Sequence, residues 1–247
     1  MRGLWKLTLM EAKLFLREPF AAFFTLAFPL MMLFLFGSIY GNEPTPFLNG
    51  RGSVDVSVPR YMAMIIASVG MLSIAISIAA YREKGVLRRY RATPLRPQTI
   101  LAATVLVNLA MTLLGTILLI AAARVFYGLH FAGNLLAVFI GFVLASLSFF
   151  SLGFIIAGLA PTARVAQVVG MVLFYPMLFL SGAGFPSEFL PETIRSFSRF
   201  LPLTHVVTLL EGLWFGDQLG SHLTEIGVLG AMIVVGVVIA ARTFRWE

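Results

Sequence analysis

Few side chains in this sequence could perform covalent or metal chemistry. There is no cysteine, and the three histidines, His130, His205 and His222, lie in separate segments without the spacing of metal ligands. Ser181 and His205 could be the nucleophile and base of an intramembrane protease, but no G-x-S-x-G elbow is present. Nothing matches the phosphate loop G-x-x-x-x-G-K-[ST]. The sequence predicts no catalysis, no metal site and no ATP hydrolysis by this chain.

The densest charge cluster is Arg82–Pro97, where six basic residues accompany one acid, Glu83. Gly85 and Pro94 bound a short predicted helix, Val86–Ala92. A loop that only sets membrane orientation needs no such helix, whereas a compact helix on a stiff turn is a suitable docking site for another protein. A second, smaller contact is predicted at the turn 160–165.

Six long apolar stretches fill the rest of the chain. With 59% hydrophobic and 12% charged residues, the composition is that of an integral membrane domain, here 1–247 as one unit. A bilayer core needs about 20 apolar helical residues per span. Only one acid or base, Glu225, falls within the stretches, so the energy for any transport is expected from outside them. The predicted spans are about 20–40, 61–81, 99–123, 135–159, 166–184 and 223–241.

The net charge of +7 is distributed as membrane orientation requires. Lys and Arg accumulate on the cytoplasmic side of membrane proteins, which predicts both termini in the cytoplasm and makes nucleic-acid binding an unfavourable interpretation. On that side lie 13 of the 18 basic residues, Arg2, Lys6, Lys13, Arg17, Arg82, Lys84, Arg88, Arg89, Arg91, Arg96, Arg164, Arg242 and Arg245, against Arg51, Arg60, Arg124, Arg195 and Arg199.

Two segments outside the spans have semi-apolar patterns. Residues 1–19 combine a basic stripe with Trp, Leu and Phe, which is typical of a helix lying in the membrane interface. Residues 185–220 are cut by prolines into pieces too short to span, and backbone at membrane depth must be covered by protein. Two short outer helices, Glu188–Phe200 and Leu203–Phe215, are predicted there.

Several of these segments resemble one family. The run Arg82-Glu-Lys-Gly-Val-Leu-Arg-Arg-Tyr-Arg-Ala-Thr-Pro-Leu95 looks like the segment after the second span of ABC-2 type exporter permeases. Ser181-Gly-Ala-Gly-Phe-Pro-Ser-Glu-Phe-Leu-Pro-Glu192, with Leu201-Pro-Leu-Thr-His205, is similar to that family's region before the last span. Glu211 departs from the family, in which many members carry Arg or Gln. The resemblance implies an all-α, type V ABC exporter-like fold with elbow helix 1–19, coupling loop 82–97 and outer re-entrant helices in 185–220.

The resemblance also implies partners. The permease would pair with a second permease, an identical one being the simpler case, and two copies of an ABC ATPase would dock onto a coupling helix matching Glu83–Ala92. This chain would hold no cofactor, because ATP and Mg would belong to the ATPase. It would lie in the cytoplasmic (inner) membrane. The ATPase-coupling residues would be Glu83, Gly85, Val86, Leu87, Arg88, Arg89, Arg91 and Arg164.

Charge-free spans and 23 phenylalanines point to an amphipathic or lipophilic cargo: a drug, a lipid or a glycan-lipid. Polar side chains inside the spans could line its path, or could only join helices through hydrogen bonds of about 0.6–2 kcal/mol. An ion-coupled secondary transporter and a non-transporting envelope assembly protein are the alternative functions. The candidate path residues are Ser68, Ser73, Asn108, Thr112, Ser148 and Ser151.

Overall fold

A computed structural model describes residues 22–48, 50–85, 97–184 and 191–243 of the 247-residue chain. In these ranges the regular structure is helical, and the only β pairing is an isolated bridge between Thr45 and Arg51. The helices are α1 Phe23–Tyr40, α2 Ser53–Glu83, α3 Pro97–Tyr127, α4 Leu135–Leu159, α5 Ala163–Leu180, α6 Glu192–Ser198, α7 Pro202–Trp214 and α8 Leu223–Thr243.

Six of these helices, α1 to α5 and α8, are long and apolar enough to cross a membrane. The shortest of the six have 18 residues, a length of about 27 Å that matches a hydrocarbon core of about 30 Å. The predicted all-α membrane class is confirmed. The predicted elbow helix, 1–19, and the coupling-loop residues 86–96 lie outside the described residues.

The two short helices predicted before the last span appear as α6 and α7. They have 7 and 13 residues, so neither can cross a bilayer by itself. The apolar side of α7, including Leu203, Val206, Leu209 and Leu213, is buried within the bundle, where α7 contacts α2, α4 and α8. Its backbone is therefore covered by protein.

Helix α2 is the centre of the bundle. Of its most apolar segment 94% is buried inside the protein, against 22% for α5 and 11% for α8. Its 31 residues give a length of about 46 Å, more than a bilayer core requires. Helices α1, α3, α4, α5 and α7 pack around it, so α2 has little contact with lipid, whereas α8 packs mainly on α4 and α7.

The start of α2 differs from the sequence-based prediction. The predicted spans end near residue 40 and resume near residue 61, which leaves the intervening residues in a loop, yet α2 begins at Ser53. The Asn42 side chain explains the difference, because its Oδ1 accepts hydrogen bonds from the backbone N–H groups of Val54 and Asp55, each at 3.0 Å. This cap comes from more than ten residues away, where no local pattern reveals it.

Glycines bring the backbones of three helices together around a π-helical turn of α2, Val69–Ile74. A Cβ atom on Gly153 of α4 would lie 2.1 Å from the Gly70 carbonyl oxygen, and one on Gly170 of α5 would lie 2.4 Å from that of Met71. Both distances are too short for any Cβ. Lipid provides no hydrophobic drive for helix association, so close contact between small residues is a main source of cohesion.

Replacing Gly153 tests this contact. The change Gly153→Ala is expected to destabilise the protein by about 1–3 kcal/mol, because a methyl group would push α4 away from α2. The measurement is the thermal unfolding midpoint of the detergent-purified protein. Gly227→Ala in α8 is the matched control, since its Cβ would meet nothing within 4 Å. Equal midpoints for the two variants would contradict the role of Gly153.

Candidate functional site

The predicted docking region lies at the end of the bundle where α2 and α4 finish and α5 begins, here called the Arg82 end. Arg82 Nη1 donates a hydrogen bond to the Gly158 carbonyl oxygen at 3.0 Å, and its Nη2 donates to that of Ala160. Glu83 Oε2 accepts a hydrogen bond from the Ala163 N–H at 2.9 Å. These contacts, together the Arg82–Glu83 latch, tie the last turn of α2 to the α4–α5 turn.

Each charge in the latch lies where a helix end favours it. Arg82 reaches carbonyls at the C-terminus of α4, which carries partial negative charge, and Glu83 reaches an N–H at the positive N-terminus of α5. Thr162 caps α5 further, because its Oγ1 accepts from the Val165 N–H at 3.3 Å. The latch therefore satisfies backbone groups that both helix ends would otherwise leave unpaired.

The latch joins the described start of the first predicted contact region to the second, the turn 160–165. Gly85 has a φ of +63°, a left-handed conformation suited to glycine, and it lies two residues after the end of α2. Glu83 and Arg164 are both exposed. The other predicted coupling residues, Val86, Leu87, Arg88, Arg89 and Arg91, lie outside the described residues.

The predicted path residues of α2 and α3 are buried and largely bonded to one another. Ser73 Oγ donates to Asn108 Oδ1 at 3.2 Å, across the two helices. Asn108 Nδ2 donates to the Thr104 carbonyl at 2.8 Å, and Thr112 Oγ1 donates to the Asn108 carbonyl at 2.6 Å. Ser68 Oγ donates to the Ile65 carbonyl at 2.9 Å. Ser73, Asn108 and Thr112 form a continuous polar strip along α3 with one contact to α2. Ser68 lies apart from this strip, and its Oγ also donates to the Phe24 carbonyl of α1 at 3.4 Å.

The predicted path residues of α4 are separate from that strip. Ser148 Oγ donates to the Ala145 carbonyl at 2.9 Å, within its own helix. Ser151 Oγ donates to the Ser148 carbonyl at 2.7 Å and to the Met232 carbonyl of α8 at 3.1 Å. Both serines are buried. All of these partners are backbone carbonyls, and only the bond from Ser151 to Met232 joins two helices.

The opposite end of the bundle is here called the Asp55 end. It holds polar residues from the connections between the predicted spans. Buried Asp55 accepts from Asn42 Nδ2 and from the His130 N–H, both at 2.9 Å. It thus holds the α1–α2 and α3–α4 connections together. The sequence contained a signal for a helix start here, because Ser53 and Asp55 precede an apolar run and both residue types are favoured at a helix N-terminus.

A buried ion pair joins α2 to α7 at the same end. Arg60 Nε and Glu211 Oε2 are 3.0 Å apart, and Nη2 lies 3.4 Å from Oε1, so the two groups meet side by side. Their side chains are 7% and 22% exposed. Glu211 thus has its partner in Arg60. The attraction between the two paired groups offsets part of the free-energy cost of removing both charges from water.

Glu83→Ala tests the latch. Loss of the carboxylate leaves the Ala163 N–H without its acceptor, so hydrogen exchange in a peptide covering residues 160–170 is expected to accelerate severalfold. Hydrogen–deuterium exchange with mass spectrometry provides the measurement. Lys84→Ala is the control, because its exposed side chain has no partner among the described residues. The same acceleration in both variants would argue against the latch.

Several known proteins are similar to parts of this sequence. Nodulation protein J of Rhizobium leguminosarum bv. viciae is 34% identical over 102 residues, which cover 41% of this chain and 39% of that protein. The probable multidrug ABC transporter permease YbhR of Escherichia coli K12 is 26% identical over 160 residues, 65% of this chain and 44% of that protein. ABC transporter G family member 20 of Dictyostelium discoideum is 24% identical over 198 residues, 80% of this chain and 26% of that protein.

The matched regions thus span less than half the length of each of these relatives. The match to a family model covers more of this chain, because the model of the ABC-2 type transporter family matches residues 2–215. That range contains the Arg82–Glu83 latch, the polar strip of α3 and the ion pair between Arg60 and Glu211. The chain belongs to the ABC-2 type transporter family.

Proposed function

We propose that this chain is the membrane-spanning permease subunit of an ATP-binding cassette exporter, driven by a separate ATPase that carries the ATP and Mg. The observation that supports it most directly is the Arg82–Glu83 latch. It joins the start of the basic coupling loop to the second predicted contact at Arg164. The two would form one docking surface for two copies of the ATPase, one on each permease of a pair.

The latch also provides a route from the docking surface to the membrane. A force on the coupling loop acts on the end of α2 and, through Arg82 and Glu83, on the ends of α4 and α5. Because α2 is enclosed by the other helices and meets α4 and α5 at glycine contacts, it cannot move without them. Closure of the docked ATPase would in this way rearrange the bundle.

Orientation and assembly belong to the same proposal. The excess of Lys and Arg supports an orientation with the Arg82 end and both termini in the cytoplasm and the Asp55 end outside. The chain would lie in the cytoplasmic membrane and pair with a second permease, an identical one in the simpler case. The exposed apolar faces of α1, α5 and α8 are available for lipid and for that pairing.

The cargo is proposed to be amphipathic or lipophilic and to leave the cytoplasm or the inner leaflet. Support comes from spans that hold few charges and many phenylalanines. The Escherichia coli relative is named as a probable multidrug permease, a description that fits the same chemical class. The buried acids and bases found at the Asp55 end are engaged in ion pairs and caps, so they do not favour an ion-coupled transporter.

Charge reversal in the coupling loop tests the docking proposal. Arg88→Glu with Arg89→Glu is expected to abolish co-purification with the ATPase and to lower cargo-stimulated ATP hydrolysis to the level of the isolated ATPase. Arg124→Glu is the control, an exposed arginine near the Asp55 end of α3. Assembly and transport that survive the double change would refute the docking site. Transport that needs a proton gradient and no ATP would refute the function.

Removal of the Ser73 hydroxyl tests the proposed cargo path. Ser73→Ala removes the donor to Asn108 with little change in volume, and is expected to raise the cargo KM about threefold if cargo uses this polar strip. Ser146→Ala is the control, because that buried hydroxyl bonds only the Phe142 carbonyl of its own helix and lies outside the proposed path. A lower melting temperature with an unchanged KM would show that Ser73 only joins helices.

A further inference from the structure

We propose that the Asp55 end carries a binding site for the anionic head group of an amphipathic molecule. An open cavity of about 440 Å³ lies between the start of α2, the helices α6 and α7, and the turn before α8. Four arginines line it, Arg51, Arg60, Arg195 and Arg199, and this set is here called the arginine ring. The volume falls in the range of small-molecule sites, about 300–1,000 Å³.

The cavity lining carries more positive than negative charge, and both of its acids already pair with other residues of the lining. Glu211 pairs with Arg60 at 3.0 Å, and Asp217 Oδ2 lies 3.2 Å from His222 Nε2. Four guanidinium groups minus two carboxylates leave a formal charge of +2 when His222 is neutral. Within the described ranges, neither acid forms an ion pair with Arg195 or Arg199. The positive charge is therefore available to an incoming anion.

Arg195 and Arg199 are the centre of the site. They are four residues apart, which puts them on the same face of α6, where like charges repel each other. Glu192, in the first turn of α6, makes no ion pair with either of them. An oxyanion held between two guanidinium groups would remove the repulsion and form charge-assisted hydrogen bonds.

Other contacts hold the remaining arginines and the α6–α7 junction in place. The Arg51 Cζ atom lies over the Phe215 ring, 3.7 Å from its centroid, a cation–π contact that holds this guanidinium group in place. Thr204 Oγ1 donates to the Ser198 carbonyl at 2.6 Å, which fixes α7 against the end of α6. The arginine ring is thus partly organised before any ligand binds.

The surroundings of the arginine ring indicate an amphipathic ligand. On and just after α6, large apolar side chains are exposed beside the basic ones: Ile194 by 38%, Phe197 by 61% and Phe200 by 82%. A short helix with arginines and aromatic residues side by side is suited to the head-group layer of a membrane. A phosphate, sulfate or carboxylate would enter the cavity while its apolar part lies along Phe197 and Phe200.

The site can be tested without the ATPase, so it does not depend on the proposed function. The full chain is purified in neutral detergent, and the binding of phosphatidylglycerol and of phosphatidylcholine with the same acyl chains is measured by native mass spectrometry. Phosphatidylglycerol is expected to bind at about tenfold lower concentration, since each arginine near an anionic head group contributes to binding. Arg195→Gln with Arg199→Gln is expected to remove the preference.

Control variants distinguish the cavity from general surface charge. Arg124→Gln, an exposed arginine on α3 outside the cavity, is expected to keep the preference, as is Arg195→Lys with Arg199→Lys. If the double glutamine variant does not fold, the single change Arg199→Gln is expected to reduce the preference partly. A preference kept by either glutamine variant, or lost equally in Arg124→Gln, would overturn the proposal.

An excess of inorganic phosphate identifies the source of the anion. If phosphate displaces the bound lipid, the arginine ring recognises the oxyanion alone, and a soluble phosphate compound is a sufficient ligand. If phosphate does not displace it, the ligand is the head group together with its apolar chain. Both results require the four-arginine cavity, and the variants above decide whether it exists.

Discussion

The enclosure of α2 is the constraint on which the rest of the structure depends. In lipid, apolar side chains gain little from contact with one another, so helices are held by close backbone approach and by polar contacts. Gly70, Gly153 and Gly170 supply that approach around the π-helical turn of α2. With α2 held in this way, α4 and α5 are fixed at their common contact, and α1, α3 and α7 complete the enclosure.

The enclosed helix has polar contacts at both ends, and these ends differ in character. At the Arg82 end, one arginine and one glutamate bond to backbone groups at the end of α4 and the start of α5. At the Asp55 end, Asp55 joins two connections and Arg60 pairs with Glu211 of α7. Helix α2 is therefore attached to its neighbours by polar contacts at both of its ends.

The cavity at the Asp55 end has a chemistry unlike that of the membrane interior. The strip along α3 consists of neutral hydroxyl and amide groups that bond to one another and to backbone carbonyls. The arginine ring, in contrast, holds more positive charge than its carboxylates neutralise. Charge of this kind is compatible with the head-group layer and would be costly in the hydrocarbon core.

Membrane class, six spanning helices and the two short helices before the last span could all be predicted from the sequence, because apolar length and proline position are local properties. The cap on α2 could not, since it comes from Asn42, more than ten residues before the capped N–H groups. The ion pair of Arg60 with Glu211 and the latch of Glu83 on Ala163 join residues far apart in the chain. Only the tertiary structure brings such partners together, because hydrogen bonds and ion pairs depend on distance in space, which neither composition nor periodicity specifies.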